Sequence, residues 1–276
     1  MMRRMLRGLA ALAATAAVLT ACSDGDEPQA DPEATTPSPQ PQATEPPRPR
    51  PGACYRLSFQ EALAYTSDVR PSSCKKPHTS VTYAVGRLDN VVNGHLVAVD
   101  SQRVKDQVAR ACPERLGDYV GGTLAQRRLS MLRSVWFTPT VEESDAGASW
   151  FRCDVIAVAR DDHLANLTGS VKGALDTQEG RDRWGMCGTA EPGTAKFERV
   201  LCSAEHSWRA IEVVTFPDGR YPGEKAAAAR GREQCRDAGN EAAEDPLDFQ
   251  WGYEWPTAEQ WRAGTTYGLC WVPSEQ

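Results

Sequence analysis

The chain has 276 residues, a formal charge of −6 and 41% hydrophobic residues. No stretch approaches the 18 or more consecutive apolar residues of a membrane-spanning helix. No basic patch marks a nucleic-acid surface or one for anionic lipid headgroups. Nine cysteines then point to export, because disulfides persist only in oxidising compartments.

The N-terminus supports export. Arg3, Arg4 and Arg7 precede an Ala- and Leu-rich apolar run over 8–20. This run is too short to span a bilayer but fits a secretory signal. It ends in Leu19-Thr20-Ala21-Cys22, which resembles the lipobox of bacterial lipoproteins. The resemblance implies cleavage after residue 21 and a lipid on the Cys22 sulfur. The mature protein is then held at the extracytoplasmic face of the cell membrane by lipid alone.

Residues 22–52 read as a disordered tether. The segment begins acidic (Asp24, Asp26, Glu27) and becomes Pro-rich (Pro46, Pro47, Pro49, Pro51). It has too little apolar surface to offset its ordering entropy, and its Pro tract is semi-extended at about 3 Å per residue. Removing the three signal arginines takes the charge from −6 to −9. Six acids and two arginines give the tether −4, so −5 remains on residues 53–276.

The other eight cysteines form two quartets, Cys54, Cys74, Cys112, Cys153 and Cys187, Cys202, Cys235, Cys270. They align as an internal repeat. Cys74-Lys75-Lys76-Pro77-His78 matches Cys202-Ser203-Ala204-Glu205-His206, and a strand-like run follows each, over 79–88 and 207–216. Helical stretches lead to the third cysteines, over 101–112 with Asp100 as N-cap, and over 222–235 with Pro222 in the first turn. Thr140-Val141-Glu142-Glu143 and Thr257-Ala258-Glu259-Gln260 are paired capping boxes. Gly147 and Gly264 stand ready to end these short helices, and final strands follow over 150–159 and 267–272. The fold class is therefore α+β, as two tandem disulfide-stapled units, each β–α–β–short α–β. The units cover residues 53–160 and 184–276, with a polar linker over 161–183.

Eight cysteines permit about 105 pairings. Symmetry favours pairing within units: Cys54–Cys74, Cys112–Cys153, Cys187–Cys202 and Cys235–Cys270. The staples matter because two units of this size with only two isoleucines have thin cores.

Several residues invite chemistry. His78 and His206 could ligate a metal beside a cysteine. Disulfides would consume every thiolate, however, which favours a histidine bonded to backbone and neither metal nor cofactor. Ser73 with Lys76 satisfies Ser-x-x-Lys without the partner motifs of penicillin-interactive enzymes, and Glu142 could act as a hydrolytic carboxylate. Six of the eight tryptophans lie in the second unit. Trp251, Tyr253 and Trp255 alternate, so a strand would place them on one face, as core or as a binding platform.

The Cys-x-x-x-His segment, Tyr221-Pro222-Gly223-Glu224 and Trp255-Pro256-Thr257-Ala258-Glu259-Gln260-Trp261 with Gly264 and Cys270 resemble the septum formation domain family of actinobacterial envelope proteins. The first unit resembles it less closely: it lacks the Tyr-Pro-Gly opening and has Ser144 in place of Trp261. The resemblance implies secreted or membrane-anchored domains, a link to cell division, and no catalytic residues to carry over. The leading expectation is a non-enzymatic envelope lipoprotein. Its partners are the membrane, through Cys22, and an envelope protein or wall polymer, met by a surface that includes His78, His206, Trp251, Tyr253 and Trp255. The alternatives are a cell-wall hydrolase and a solute-binding lipoprotein.

Overall fold

The structure is a computed structural model describing residues 46–274. The signal, Cys22 and the tether up to residue 45 lie outside the described residues.

In chain order, β1 (Cys54–Tyr55) precedes a single helical turn, α1 (Phe59–Ala62), and β2 (Ser80–Arg87). A small hairpin, β3 (Val91–Val92) and β4 (His95–Leu96), leads into the long α2 (Gln102–Val120). Next come α3 (Leu124–Arg128), β5 (Leu132–Phe137), α4 (Val141–Asp145), β6 (Trp150–Arg160), β7 (His163–Leu164) and α5 (Gln178–Trp184). The remainder is β8 (Met186–Gly188), β9 (Arg199–Leu201), β10 (Trp208–Thr215), α6 (Glu224–Arg230), α7 (Arg232–Ala242), β11 (Gly252–Glu254), α8 (Ala258–Arg262) and β12 (Tyr267–Pro273). Helices and sheets are mixed, as the α+β expectation requires.

Two antiparallel sheets organise these elements. The first runs β1-β2-β6-β5, with β7 appended to β6; the second runs β11-β12-β10-β8-β9. Reversed, the second reads β8-β10-β12-β11, the order of the first, with β9 as an extra edge. Both carry a bulge at the same place. The register of β2 on β6 slips between Thr82 and Ala84, that of β10 on β12 between Ala210 and Glu212. The residue after each slip faces a cysteine, Ala84 opposite Cys153 and Glu212 opposite Cys270.

A helix covers one face of each sheet and is stapled to it. Cys112 of α2 bonds Cys153 of β6, and Cys235 of α7 bonds Cys270 of β12. The other disulfides, Cys54–Cys74 and Cys187–Cys202, clip the shorter loops. In α2 the buried residues Val104, Val108, Cys112, Leu116 and Val120 fall at helical spacing, so one stripe meets the sheet. Close packing needs glycine at several positions. A Cβ on Gly86 of β2 would lie 2.1 Å from the Phe151 ring, and one on Gly231, between α6 and α7, 2.3 Å from the Tyr253 ring.

The local signals behave as expected. Thr140 accepts from the Glu143 N–H at 3.2 Å while the Glu143 carboxylate accepts from the Thr140 N–H at 3.0 Å; Thr257 and Gln260 do the same at 3.2 and 2.8 Å. Gly147 and Gly264 follow at φ of +101° and +96°. Three details differ. The N-cap of α2 is Ser101 rather than Asp100. That helix also runs beyond Cys112 through Pro113, because its apolar stripe continues to Val120 and burial outweighs the lost proline N–H bond. Pro222 lies before the N-cap Gly223, and the predicted single helix breaks at Gly231 into α6 and α7.

The sheets share a core. Leu116, Val120, Met131, Leu132 and Val155 from the first half pack in one cluster with Trp184, Met186, Leu201, Trp208, Leu269 and Trp271 from the second. Backbone ties run across the same seam. The Met131 N–H donates to the Trp184 carbonyl at 2.7 Å, and the Met186 N–H to that of Leu129 at 2.9 Å. Residues 161–183, polar overall, contribute Leu167, Val171 and Leu175 to this cluster.

Candidate functional site

The candidate site is a cavity of about 210 Å³ on the seam. Arg133 of β5 enters from the first half. Met186, Arg199, Glu254, Tyr267 and Leu269 enter from strands of the second, and Trp255, Pro256, Gln260 and Thr265 close the end near α8. Arg199 and Glu254 lie on β9 and β11, the opposite edges of the second sheet, yet form an ion pair. The sheet therefore curls until its edges meet over the side chains between them. Phe197, just before β9, packs edge-on against Trp271 at 5.2 Å and helps hold that curl.

The polar groups here are incompletely matched. Arg133 Nη1 donates to the Ser130 and Leu132 carbonyls at 2.6 and 2.8 Å. Among the described residues no carboxylate pairs with it. Burial pulls the Arg133 guanidinium below its ordinary pKa; Tyr267 opposes this and the charge of Arg199 adds to it. Across the ion pair, Glu254 Oε2 and Arg199 Nε are buried without a hydrogen-bond partner. Arg128 of α3 lies over the Tyr267 ring at 4.5 Å. Two cations and one anion thus line a cleft in a chain whose overall charge is negative. Fixed guanidinium groups of this kind suit bidentate recognition of an oxyanion.

Of the candidate functional residues named from sequence, Trp255 alone lines this cleft, next to Pro256 and Gln260 of the same motif. Trp251, Tyr253 and Trp255 do share one face, but that face packs partly buried on Val214, Phe216, Cys235 and Cys270. The Tyr253 hydroxyl donates to the Ala227 carbonyl at 3.0 Å, and burial pushes its pKa up to about 12. Trp251 rests where a Cβ on Gly239 of α7 would clash. These two rings therefore supply core rather than an open platform.

His78 is a correction. It is 1% exposed and so is no part of a surface. Its Nδ1 pairs with the Lys76 carbonyl at 2.9 Å, and its own carbonyl accepts from the Leu167 N–H at 2.8 Å. His206 is more open and repeats the first contact, Nδ1 to the Ala204 carbonyl at 2.7 Å. Both histidines brace a turn after a disulfide. No group of three or more His, Cys, Asp or Glu side chains able to hold a metal occurs among the described residues. Ser73 and Lys76 are exposed beside the Cys54–Cys74 bridge. Glu142 is exposed at the start of α4, its pKa lowered by a backbone N–H and by Thr140. A general acid needs the opposite shift.

Sequence reasoning missed Arg133, Arg199 and Glu254. Glu254 stands beside the flagged Trp255, but nothing near Arg133 or Arg199 distinguishes them from other surface arginines. They meet only because the sheet curls and the halves share a seam.

The disulfide-stapled two-sheet fold with a cationic seam cleft defines an α+β class of domain architecture. The profile described as Septum formation matches residues 51–270, and the chain belongs to that family. No curated protein and no solved structure matches it.

Proposed function

We propose that this protein is a non-enzymatic lipoprotein of the cell envelope, a binding or scaffold module that acts in septum formation. The match of the septum formation family across residues 51–270 carries the reading and supports a role related to cell division. In this reading Cys22 bears the lipid and residues 23–52 hold the body away from the bilayer. The two halves are tandem copies of one unit, which the common strand order and the equivalent bulges support. The seam cleft, built from both copies, meets an envelope protein or wall polymer.

Two measurements test this. Cells lacking the protein should show altered septum spacing by membrane-dye microscopy, restored by the wild type and not by Cys22→Ala. Palmitate labelling should mark the wild type and not that variant. Turnover of a wall-derived fragment by the purified protein would overturn the non-enzymatic reading.

A further inference from the structure

Arg133 leaves one edge of its guanidinium unused. Nη1 is spent on the Ser130 and Leu132 carbonyls, which hold the group in place. Nε and Nη2, neighbouring donors along one edge of the plane, have no acceptor among the described residues. Nor are they shut away. The sealed, unpartnered atoms of this cleft are Arg199 Nε and Glu254 Oε2, and neither donor of that edge is among them. Two parallel N–H groups on a fixed guanidinium match the two oxygens of a carboxylate or a phosphate, a match that a point charge lacks.

The surroundings favour an anion on that edge. Glu254 is the only carboxylate among the described residues that line the cleft, and Arg199 already pairs with it. Arg199 also lies near enough to add its field at Arg133. Arg128 brings a third guanidinium over the Tyr267 ring at 4.5 Å. Met186 and Leu269 supply an apolar wall, which weakens solvent screening and strengthens these attractions. At about 210 Å³ the cavity is smaller than the ~300–1,000 Å³ of ordinary small-molecule sites, so it admits one group of a larger ligand. Glu254 Oε2 is closed to that ligand, so the cleft reads the anionic group and not the body that carries it.

Resting on the reading of the cleft as a binding site, we infer that the Nε–Nη2 edge of Arg133 takes a single oxyanion group, a carboxylate or a phosphate, of the envelope ligand. Two oxygens of the group accept from that edge, and Arg199 adds positive charge beside it. Carboxylate and phosphate share this chemistry, and titration separates them.

The test is calorimetric titration of the full-length protein in detergent with propionate and glycerol phosphate, and with their neutral counterparts propionamide and glycerol. At least one anion should bind saturably, at least tenfold more tightly than its neutral counterpart, and less tightly as salt rises. The tighter of the two anions identifies the group that the ligand carries. Arg133→Lys keeps the charge but loses the fork, so it should bind that anion at least tenfold more weakly than the wild type. Arg133 also braces the chain through Ser130 and Leu132, so a second variant guards against misfolding. Thr265→Glu, in the loop that lines the cleft, supplies a carboxylate of its own and should abolish binding while its near-ultraviolet circular dichroism matches the wild type. Anions that bind wild-type protein no better than their neutral counterparts overturn the inference, and so does undiminished binding to both variants. Retention on isolated cell wall that excess propionate and glycerol phosphate leave intact would sink this inference and leave the proposed function standing. Saturable anion binding by a protein whose loss leaves septum spacing unchanged would do the reverse.

Discussion

Asp154 offers the sharpest test of how the first sheet is held together. It is fully buried and accepts from the Ser80 and Thr82 hydroxyls at 2.8 and 2.7 Å. Arg152 lies on the same face, 4% exposed, with its Nε 3.4 Å from the carboxylate. The guanidinium is sandwiched by Tyr55 and Phe137 at 3.7 and 4.4 Å from the ring centres. Asp154→Ala removes one partner and strands a buried cation, a change that costs about 3–5 kcal/mol. Replacing both, as Arg152→Met with Asp154→Leu, removes the desolvation penalty with the attraction and should fall within about 1 kcal/mol of the wild type. The second sheet supports this. Leu269 and Trp271 stand one residue either side of Cys270, as Arg152 and Asp154 flank Cys153, and that sheet closes without a charge at these positions. The assay is urea unfolding under oxidising conditions, followed by tryptophan fluorescence. pH adds a second axis. Burial raises the folded pKa of Asp154 above 3.8, outweighing Arg152, Thr82 and Ser80. The folded state then holds the proton more tightly than the unfolded one. Asp154 favours folding most below its unfolded value, and this contribution is lost as pH climbs through the raised folded value. The double variant lacks that loss, so its stability relative to wild type should rise from acid to neutral pH. A single variant within 1 kcal/mol of wild type, or a double variant worse than the single, would refute the reasoning.

Other outcomes follow from the same structure. Replacing Cys112 and Cys153 by Ala opens a separation of 41 residues, and replacing Cys187 and Cys202 opens one of 15. The chain-entropy cost is about 3.9 against about 3.0 kcal/mol, so urea midpoints should fall further for the first pair. Thr257→Ala should cost about 1 kcal/mol by removing the capping box of α8, measured as a drop in thermal midpoint, while Thr257→Ser should retain most of it. Ultraviolet titration should show a phenol ionising near pH 12 that disappears in Tyr253→Phe. Because burial raises that pKa, the tyrosine's contribution should be lost as pH rises from 10 towards 12, and the phenylalanine variant should lack this part of the alkaline destabilisation.

The readable parts of this molecule were local. A capping box spans three residues, so Thr140 with Glu143 and Thr257 with Gln260 declare themselves without tertiary information. The strand after each Cys-x-x-x-His is similarly marked by composition, and cysteine symmetry suffices for the four pairs. What stayed hidden depends on neighbours far along the chain. Polar composition over 161–183 masks three buried aliphatics, because Leu167, Val171 and Leu175 are spaced to reach a core that neither half builds alone. His78 is indistinguishable in sequence from His206, yet pairing of its backbone with Leu167 buries the first and leaves the second open. The cleft is the extreme case, since Arg133 and Glu254 reach it from different sheets.

The shared seam bears on ancestry. A chain carrying only one half would leave Trp208, Leu269 and Trp271, or Leu116, Val120 and Val155, without the residues that now cover them. If a single-unit forebear existed, its cheapest remedy was to pair with another copy of itself. Fusion into one polypeptide would then have freed each half to diverge, one toward a charged sheet face and the other toward a tryptophan-lined one.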